Sequence, residues 1–379
     1  MAEAGVATGL VRAGILYDGT ARPGAADCAV VLEGSGIAAV LPWADRPDAP
    51  LLAEADIVTP GLIDLQINGG GGLLFNDAPT VQTVAQIARA ARTTGAAYIL
   101  PTFITDAGDR YRAAIDAVAG SDDPGVLGLH LEGPFLSAAK PGIHPADAIR
   151  GIAATDLALI EAAGIPVLLT MAPEEIDPTT LERLAKAGIV LFAGHTNALS
   201  EDIARAEAAG LRGATHLFNA MRQMTARDPG VVGAVFASNR LFAGLIADGI
   251  HVAPASVAAA YAALGPARLF LVSDAMPTLG SDIDGFDLLG TPITRADGRL
   301  TGPDGTLAGA DLTLAEAILH IDAMTGCGLA QAVQMASQTP AQAMGFDRLG
   351  RVAPGYRAGL SLFSDGFDPQ GVVVDGLVF

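Results

Sequence analysis

Four short apolar runs in the middle of the chain end abruptly in a polar side chain. They read GVLGLHLEGP, GIVLFAGHT, GLRGATHLFNAM and RLFLVSDAM, and they deliver Glu132, His195, His216 and Asp274 in turn. A short apolar run bounded by turn residues is the pattern of a strand buried on both faces. The same pattern predicts strands near 62–68, 97–104, 126–132, 166–172, 189–195, 212–216, 241–247 and 268–274. Between them lie Ala-rich helical stretches such as VQTVAQIARAARTTG, DRYRAAIDAVAG, DLALIEAAG, TTLERLAKAG, LSEDIARAEAAG and PASVAAAYAALG. Most end in Gly, which suits the residue that closes a helix. Asp177 to Thr179 and Asn197 to Ser200 offer capping side chains at two helix starts. Eight strand-then-helix units predict an α/β fold, a TIM-like (β/α)8 barrel whose active site lies at the C-terminal strand ends. A doubly wound open sheet is the alternative, but no Gly-rich phosphate fingerprint follows the first strand.

The two ends of the chain follow another rhythm. GLVRAGILYDG, ADCAVVLEGSGIAAVLP and LLAEADIVTPG read as short strands with turns, and Gly34-Ser35-Gly36 after Val30, Val31 and Leu32 marks a hairpin. The style returns in GRVAPGYRAGLSLFS and GVVVDGLVF. The predicted organisation is therefore a small β-sandwich domain built from residues 1–57 and 346–379, flanking a catalytic barrel over 58–345.

Composition narrows the class. With 379 residues, 51% hydrophobic and 17% charged, the chain can bury a large core. Mean hydropathy is +0.42, yet no apolar run reaches the ~18 residues that a membrane span needs. The opening MAEAGVATGLVRAG has no basic region followed by an apolar stretch, so no secretory signal is expected. Cys28 and Cys327 stand in no metal or redox spacing and read as reduced thiols of a cytoplasmic protein. A net charge of −19 argues against nucleic acid or an anionic membrane as partner. It also means that a phosphorylated ligand needs dedicated local cations and backbone donors.

The four strand-end residues carry the chemistry. A carboxylate and two imidazoles can hold a divalent metal and leave a position open for water. A further aspartate can handle that water's protons. One strand-end histidine is as often a cap as a ligand; four such residues in one repeated context point to a site.

TPGLIDLQINGGGG, HLEGPF, KPGIH, AGHTNA, THLFNAM, ADGIH and LVSDAM together resemble the amidohydrolase superfamily, and within it the N-acetylglucosamine-6-phosphate deacetylase family. The resemblance covers nearly the whole chain. It implies hydrolysis of N-acetyl-D-glucosamine 6-phosphate to D-glucosamine 6-phosphate and acetate. It further implies Glu132, His195 and His216 as metal ligands, Asp274 as general base and acid, and His144 as the group polarising the acetyl carbonyl. Ile143, Asn219, Ala220, Arg227, His251 and the Leu307-Ala308-Gly309 loop would contact the sugar phosphate. A homodimer with Arg227 reaching across the interface also follows from the resemblance.

One departure is informative. Many amidohydrolases carry His-x-His at the end of the first strand, whereas this chain has Gln66-Ile67-Asn68. Neutral amides are much weaker ligands for a transition metal than imidazole. The second-metal position at Gln66 and Asn68 is therefore expected to stay vacant. One divalent ion per subunit follows, Zn²⁺ first, with Fe²⁺, Co²⁺ or Mn²⁺ as alternatives. Arg227, in a polar loop, reads equally well as a solvated surface charge. His320 falls in a helical pattern and receives no role. The 4-epimer, N-acetylgalactosamine 6-phosphate, is the alternative substrate. Cyclic-amidase chemistry and a non-catalytic sugar-phosphate sensor on the same scaffold are more distant readings.

Overall fold

Short runs containing Val, Ile and Leu, broken by turn residues, build β1 (Thr8–Leu16), β2 (Ala25–Glu33), β3 (Gly36–Pro42) and β4 (Leu51–Pro60) at the start of the chain. The chain then enters the barrel with β5 (Leu62–Ile67), followed by a two-residue pair, β6 (Gly69–Gly70) and β7 (Leu73–Leu74). The remaining barrel strands are β8 (Ala96–Ile104), β9 (Leu129–Glu132), β10 (Val167–Met171), β11 (Val190–Ala193), β12 (Leu211–Ala214), β13 (Phe242–Leu245) and β14 (Leu269–Leu271). An antiparallel excursion follows: β15 (Gly285–Leu288), β16 (Thr291–Ala296), β17 (Arg299–Thr301) and β18 (Leu307–Ala310). After three helices the chain closes with β19 (Leu360–Phe363), β20 (Pro369–Val374) and β21 (Leu377–Val378). This computed structural model describes residues 8–379. The opening MAEAGVA, on which the expectation of no secretory signal partly rests, lies outside the described residues.

The barrel strands pair in the order β14-β13-β12-β11-β10-β9-β8-β5, and every pairing between neighbours is parallel. This is the (β/α)8 architecture expected from the alternating runs. β5, β8, β9 and β10 are buried at every residue, because helices cover the outside and side chains fill the inside. No regular ladder joins β14 to β5. The ring closes through backbone bonds just past the strand ends: Asp274 N–H donates to Gln66 O at 3.0 Å, and Asn68 N–H donates to Ala275 O at 2.8 Å.

Both termini do contribute to one small β unit, a continuous seven-stranded sheet ordered β21-β20-β19-β4-β1-β2-β3. Its own core joins Val11, Val30, Val58 and Leu32 to Leu360, Leu362 and Val373. The hairpin at Gly34 is present as the antiparallel β2–β3 pair.

Three local readings change. The strands expected over 189–195, 212–216 and 268–274 stop at Ala193, Ala214 and Leu271. His195, His216 and Asp274 lie beyond them with φ of +47°, +29° and +50°, so the chain has left the ladder when it presents these side chains. No side chain from Asn197 to Ser200 caps the helix Ser200–Ala208. Its N-cap is Leu199, whose backbone N–H is taken by Asp202 at 2.8 Å. Asn197 instead gives its backbone N–H to Glu174. Asp177 does cap its helix, accepting from Thr180 N–H at 3.0 Å. The sheet β15–β18 had no counterpart in the periodicity, because its strands are short and half exposed.

Candidate active site

A pocket of about 230 Å³, open to solvent, lies at the C-terminal ends of the barrel strands. Glu132, His195, His216, Asp274, His144, Ile143, Asn219, Ala220, His251, Leu307 and Gly309 all line it.

The tightest cluster joins three strand ends. Glu132 Oε1 lies 2.9 Å from His216 Nε2 and 3.2 Å from His195 Nε2, and the two Nε2 atoms are 3.1 Å apart. Neighbouring ligands around an ion with bonds of about 2.0–2.2 Å sit at such separations. His195 Nδ1 faces the carbonyl oxygen of Lys140 at 3.2 Å, and a carbonyl only accepts. Nδ1 therefore carries the proton and Nε2 turns its lone pair inward, as a ligand requires. Glu132, His144 and His195 also bring ligand atoms within 4.8 Å of one another. His144 Nδ1 lies 2.8 Å from Thr105 Oγ1, which leaves Nε2 as the ring nitrogen it can offer to that grouping. The donor set fits one divalent cation.

Electrostatics around the cluster follow from burial and close partners. Burial works to raise the Glu132 carboxyl, but His195 and His216 overcome it and hold it well below the usual range. Burial, helped by His195, drives His144 well below an ordinary histidine. Asp274 is pushed up to about 6, first by burial and then by the charge of Glu132. A carboxyl raised in this way is poised to exchange protons near neutral pH.

Gln66 and Asn68 are buried beside these groups. Asn68 Nδ2 donates to Asp274 Oδ1 at 2.7 Å and Gln66 Nε2 to the same oxygen at 3.1 Å. Gln66 Nε2 also reaches both oxygens of Glu132 at 3.3 Å. Asn219 turns its amide back to the carbonyl of His216 at 3.3 Å. Ala308 is fully buried, packed with Leu74, Ile104 and Met276 behind the pocket wall. Arg227 is exposed on the loop before Gly230, outside the lining of this pocket. His320 faces away, with Nδ1 against the carbonyl of Ala247 at 3.1 Å.

Several groups escaped the sequence reading because they work through neighbours. Asp248 holds His251 Nδ1 at 2.6 Å and accepts the backbone N–H of Ile250 and of His251 at 2.8 Å each. Glu174 grips Thr196 Oγ1 at 2.5 Å and Asn197 N–H at 2.6 Å, fixing the turn after His195. Asp64, raised to about 7 chiefly by burial, accepts N–H from Gln66 and Ser273 at 3.2 Å each. Only the polar Asp inside the apolar LIDLQI signalled it. Positive φ at His195, His216, Phe218, Ala220 and Asp274 concentrates backbone strain around the pocket, as functional sites commonly do.

Comparison with known proteins agrees with this geometry. A profile of the amidohydrolase family matches residues 57–378. An N-acetylgalactosamine-6-phosphate deacetylase of Shewanella sp. (strain ANA-3) is 42% identical over 83% of this chain and 80% of its own. An N-acetylglucosamine-6-phosphate deacetylase of Haemophilus influenzae is 34% identical over 92% of this chain and 94% of its own. The crystal structure of N-acetylglucosamine-6-phosphate deacetylase from Pasteurella multocida shares 31% identity and a TM-score of 0.91, covering 98% of this chain and 99% of that one. Sequence match, barrel topology and strand-end cluster agree along almost the full length, and the chain belongs to the amidohydrolase family.

Proposed function

We propose that the protein is a metal-dependent deacetylase that hydrolyses N-acetyl-D-glucosamine 6-phosphate to D-glucosamine 6-phosphate and acetate. The observation that carries this reading is the convergence of Glu132, His195 and His216 beside an aspartate, Asp274, that is raised to about 6. The relatives' named activities supply the substrate class.

Glu132, His195 and His216 would hold one divalent cation, Zn²⁺ first and Fe²⁺, Co²⁺ or Mn²⁺ as alternatives. Such an ion, when bound, lowers the pKa of water to about 7 and polarises a carbonyl. Asp274 takes the proton of the attacking water and then delivers it to the amine of the leaving sugar. His144, buried and neutral, donates from Nε2 to the acetyl oxygen in the tautomer whose Nδ1 accepts the hydroxyl hydrogen of Thr105. Gln66 and Asn68 leave the second-metal position vacant. Ile143, Asn219, Ala220, His251 and the Leu307-Ala308-Gly309 loop shape the sugar-phosphate subsite.

The phosphate needs a cation on this acidic chain. Arg227 serves it from a second copy in a homodimer, since arginine's fork suits phosphate. Its exposure is consistent with that role, as is Met224, 55% exposed on the same loop. Among the described residues no helix is long and apolar enough to cross a membrane, and we assign the enzyme to the cytoplasm.

N-acetylgalactosamine 6-phosphate is a second reading. It is favoured by the 42% identity to the Shewanella enzyme against 34% to the Haemophilus one. Acetate release from both 6-phosphates and from unphosphorylated N-acetylglucosamine tests both readings. The glucosamine epimer is expected to give the highest kcat/KM. A higher value for galactosamine installs the second reading, and no chelator-sensitive acetate from either phosphate overturns both.

A further inference from the structure

Asp274 does not rest freely in the pocket. Its Oδ1 accepts two side-chain amide hydrogens, from Asn68 at 2.7 Å and Gln66 at 3.1 Å, while no hydrogen bond among the described residues engages Oδ2. The same two residues hold the Asp274 segment by its backbone. Asp274 N–H donates to Gln66 O, and Asn68 N–H donates to Ala275 O. Gln66 and Asn68 are 2% and 1% exposed, so water cannot replace either donor at little cost. Asn68 Oδ1 is buried without a partner among the described residues. Turning that amide over would set its oxygen against the carboxylate, so Asp274 dictates the orientation. Gln66 Nε2 stands between the carboxylates of Glu132 and Asp274 and offers hydrogens to both, easing the repulsion of two like charges in a dry site.

From this geometry we propose that Gln66 and Asn68 are positioning residues, a two-donor clamp that immobilises Oδ1 of Asp274 and leaves Oδ2 as the oxygen that exchanges protons. Two N–H donors restrain one oxygen of the base, and neither brings an ionisable group of its own. The clamp rests on the reading of Asp274 as the base, and the two fail differently. Asp274→Asn with near-normal turnover removes the reading. A slow Asp274→Asn beside a fast clamp variant removes the clamp alone.

The test uses the metal-loaded enzyme with N-acetylglucosamine 6-phosphate, or its epimer if that is the better substrate. Asn68→Leu and Gln66→Met keep volume and delete the donors. Each is expected to lower kcat about 10- to 100-fold, as loss of a supporting shell commonly does, with KM and metal content per chain within twofold of the parent. The decisive measurement is the cycle with Asp274→Asn. A residue that acts through Asp274 costs little more once Asp274 is disabled, whereas a structural role costs the same factor in both backgrounds. A kcat within twofold of the parent, full additivity with Asp274→Asn, or a loss that tracks metal content overturns the clamp. If one variant fails to fold, the other is read by the same criteria.

Discussion

His195 and His216 point their Nε2 atoms at each other across 3.1 Å, with Glu132 Oε1 completing the triangle at 2.9 and 3.2 Å. Two lone pairs and a carboxylate crowded together in a buried site repel unless a cation or a proton sits among them. The backbone contributes to this crowding, since both histidines adopt positive φ to turn inward.

Binding of one ion per chain is the first consequence. Elemental analysis of purified protein should approach one transition metal per subunit, and chelation should lower both activity and Tm, because an ion that binds only the folded state stabilises it. A reproducible value of two, with Gln66 or Asn68 coordinating, contradicts the single-ion reading.

Asp274→Asn keeps size and removes the basic oxygen. Turnover should fall by about 10² to 10⁴, the usual cost of losing a general base, with metal content unchanged and KM little altered. Near-normal kcat would exclude Asp274 as the base.

Arg227→Ala should weaken the phosphorylated substrate severely and leave the poor turnover of the unphosphorylated sugar almost unchanged. Part of the loss should fall on kcat, since a remote phosphate's binding energy positions the amide. Mixing Arg227→Ala with Asp274→Asn subunits separates the two geometries. Action across the interface restores one intact site per mixed dimer. No recovery after verified subunit exchange places Arg227 with its own chain's site or on the plain surface.

Stability in acid should depend on Asp156. Burial works to raise this carboxyl, but Arg150 at 2.6 and 2.8 Å, Tyr111 at 2.5 Å and the Ala153 N–H at 2.8 Å overcome it and hold it at about 2. The folded value lies below the unfolded one of about 3.9, so the stabilisation is complete above pH 4 and is lost as pH falls towards 2. With Arg150 partly exposed to screening solvent, the contribution is about 1–2 kcal/mol. Asp156→Asn should lose about that much in denaturant unfolding at pH 7 and nearly nothing further at pH 2. An equal deficit at both pH values would assign the effect to packing instead.

Much of this protein was legible in one dimension. The period of apolar runs and Ala-rich helices specifies eight parallel strands, because strands buried on both faces leave a continuous hydrophobic trace. The break from apolar to polar at Glu132, His195, His216 and Asp274 locates the site, because barrel strands end at the same face. What the tertiary structure decided is contact between residues far apart in the chain. Gln66 meets Asp274 only because the barrel seam brings the first and last strands together. Asp248, Glu174 and Asp64 act at one remove, through hydrogen bonds that no periodicity encodes. The left-handed turns at His195, His216 and Asp274 fall at non-glycine residues, where positive φ is uncommon even though His and Asp tolerate it better than most. Side-chain identity carries no mark of such strain, since it is the surrounding fold that over-determines the backbone there.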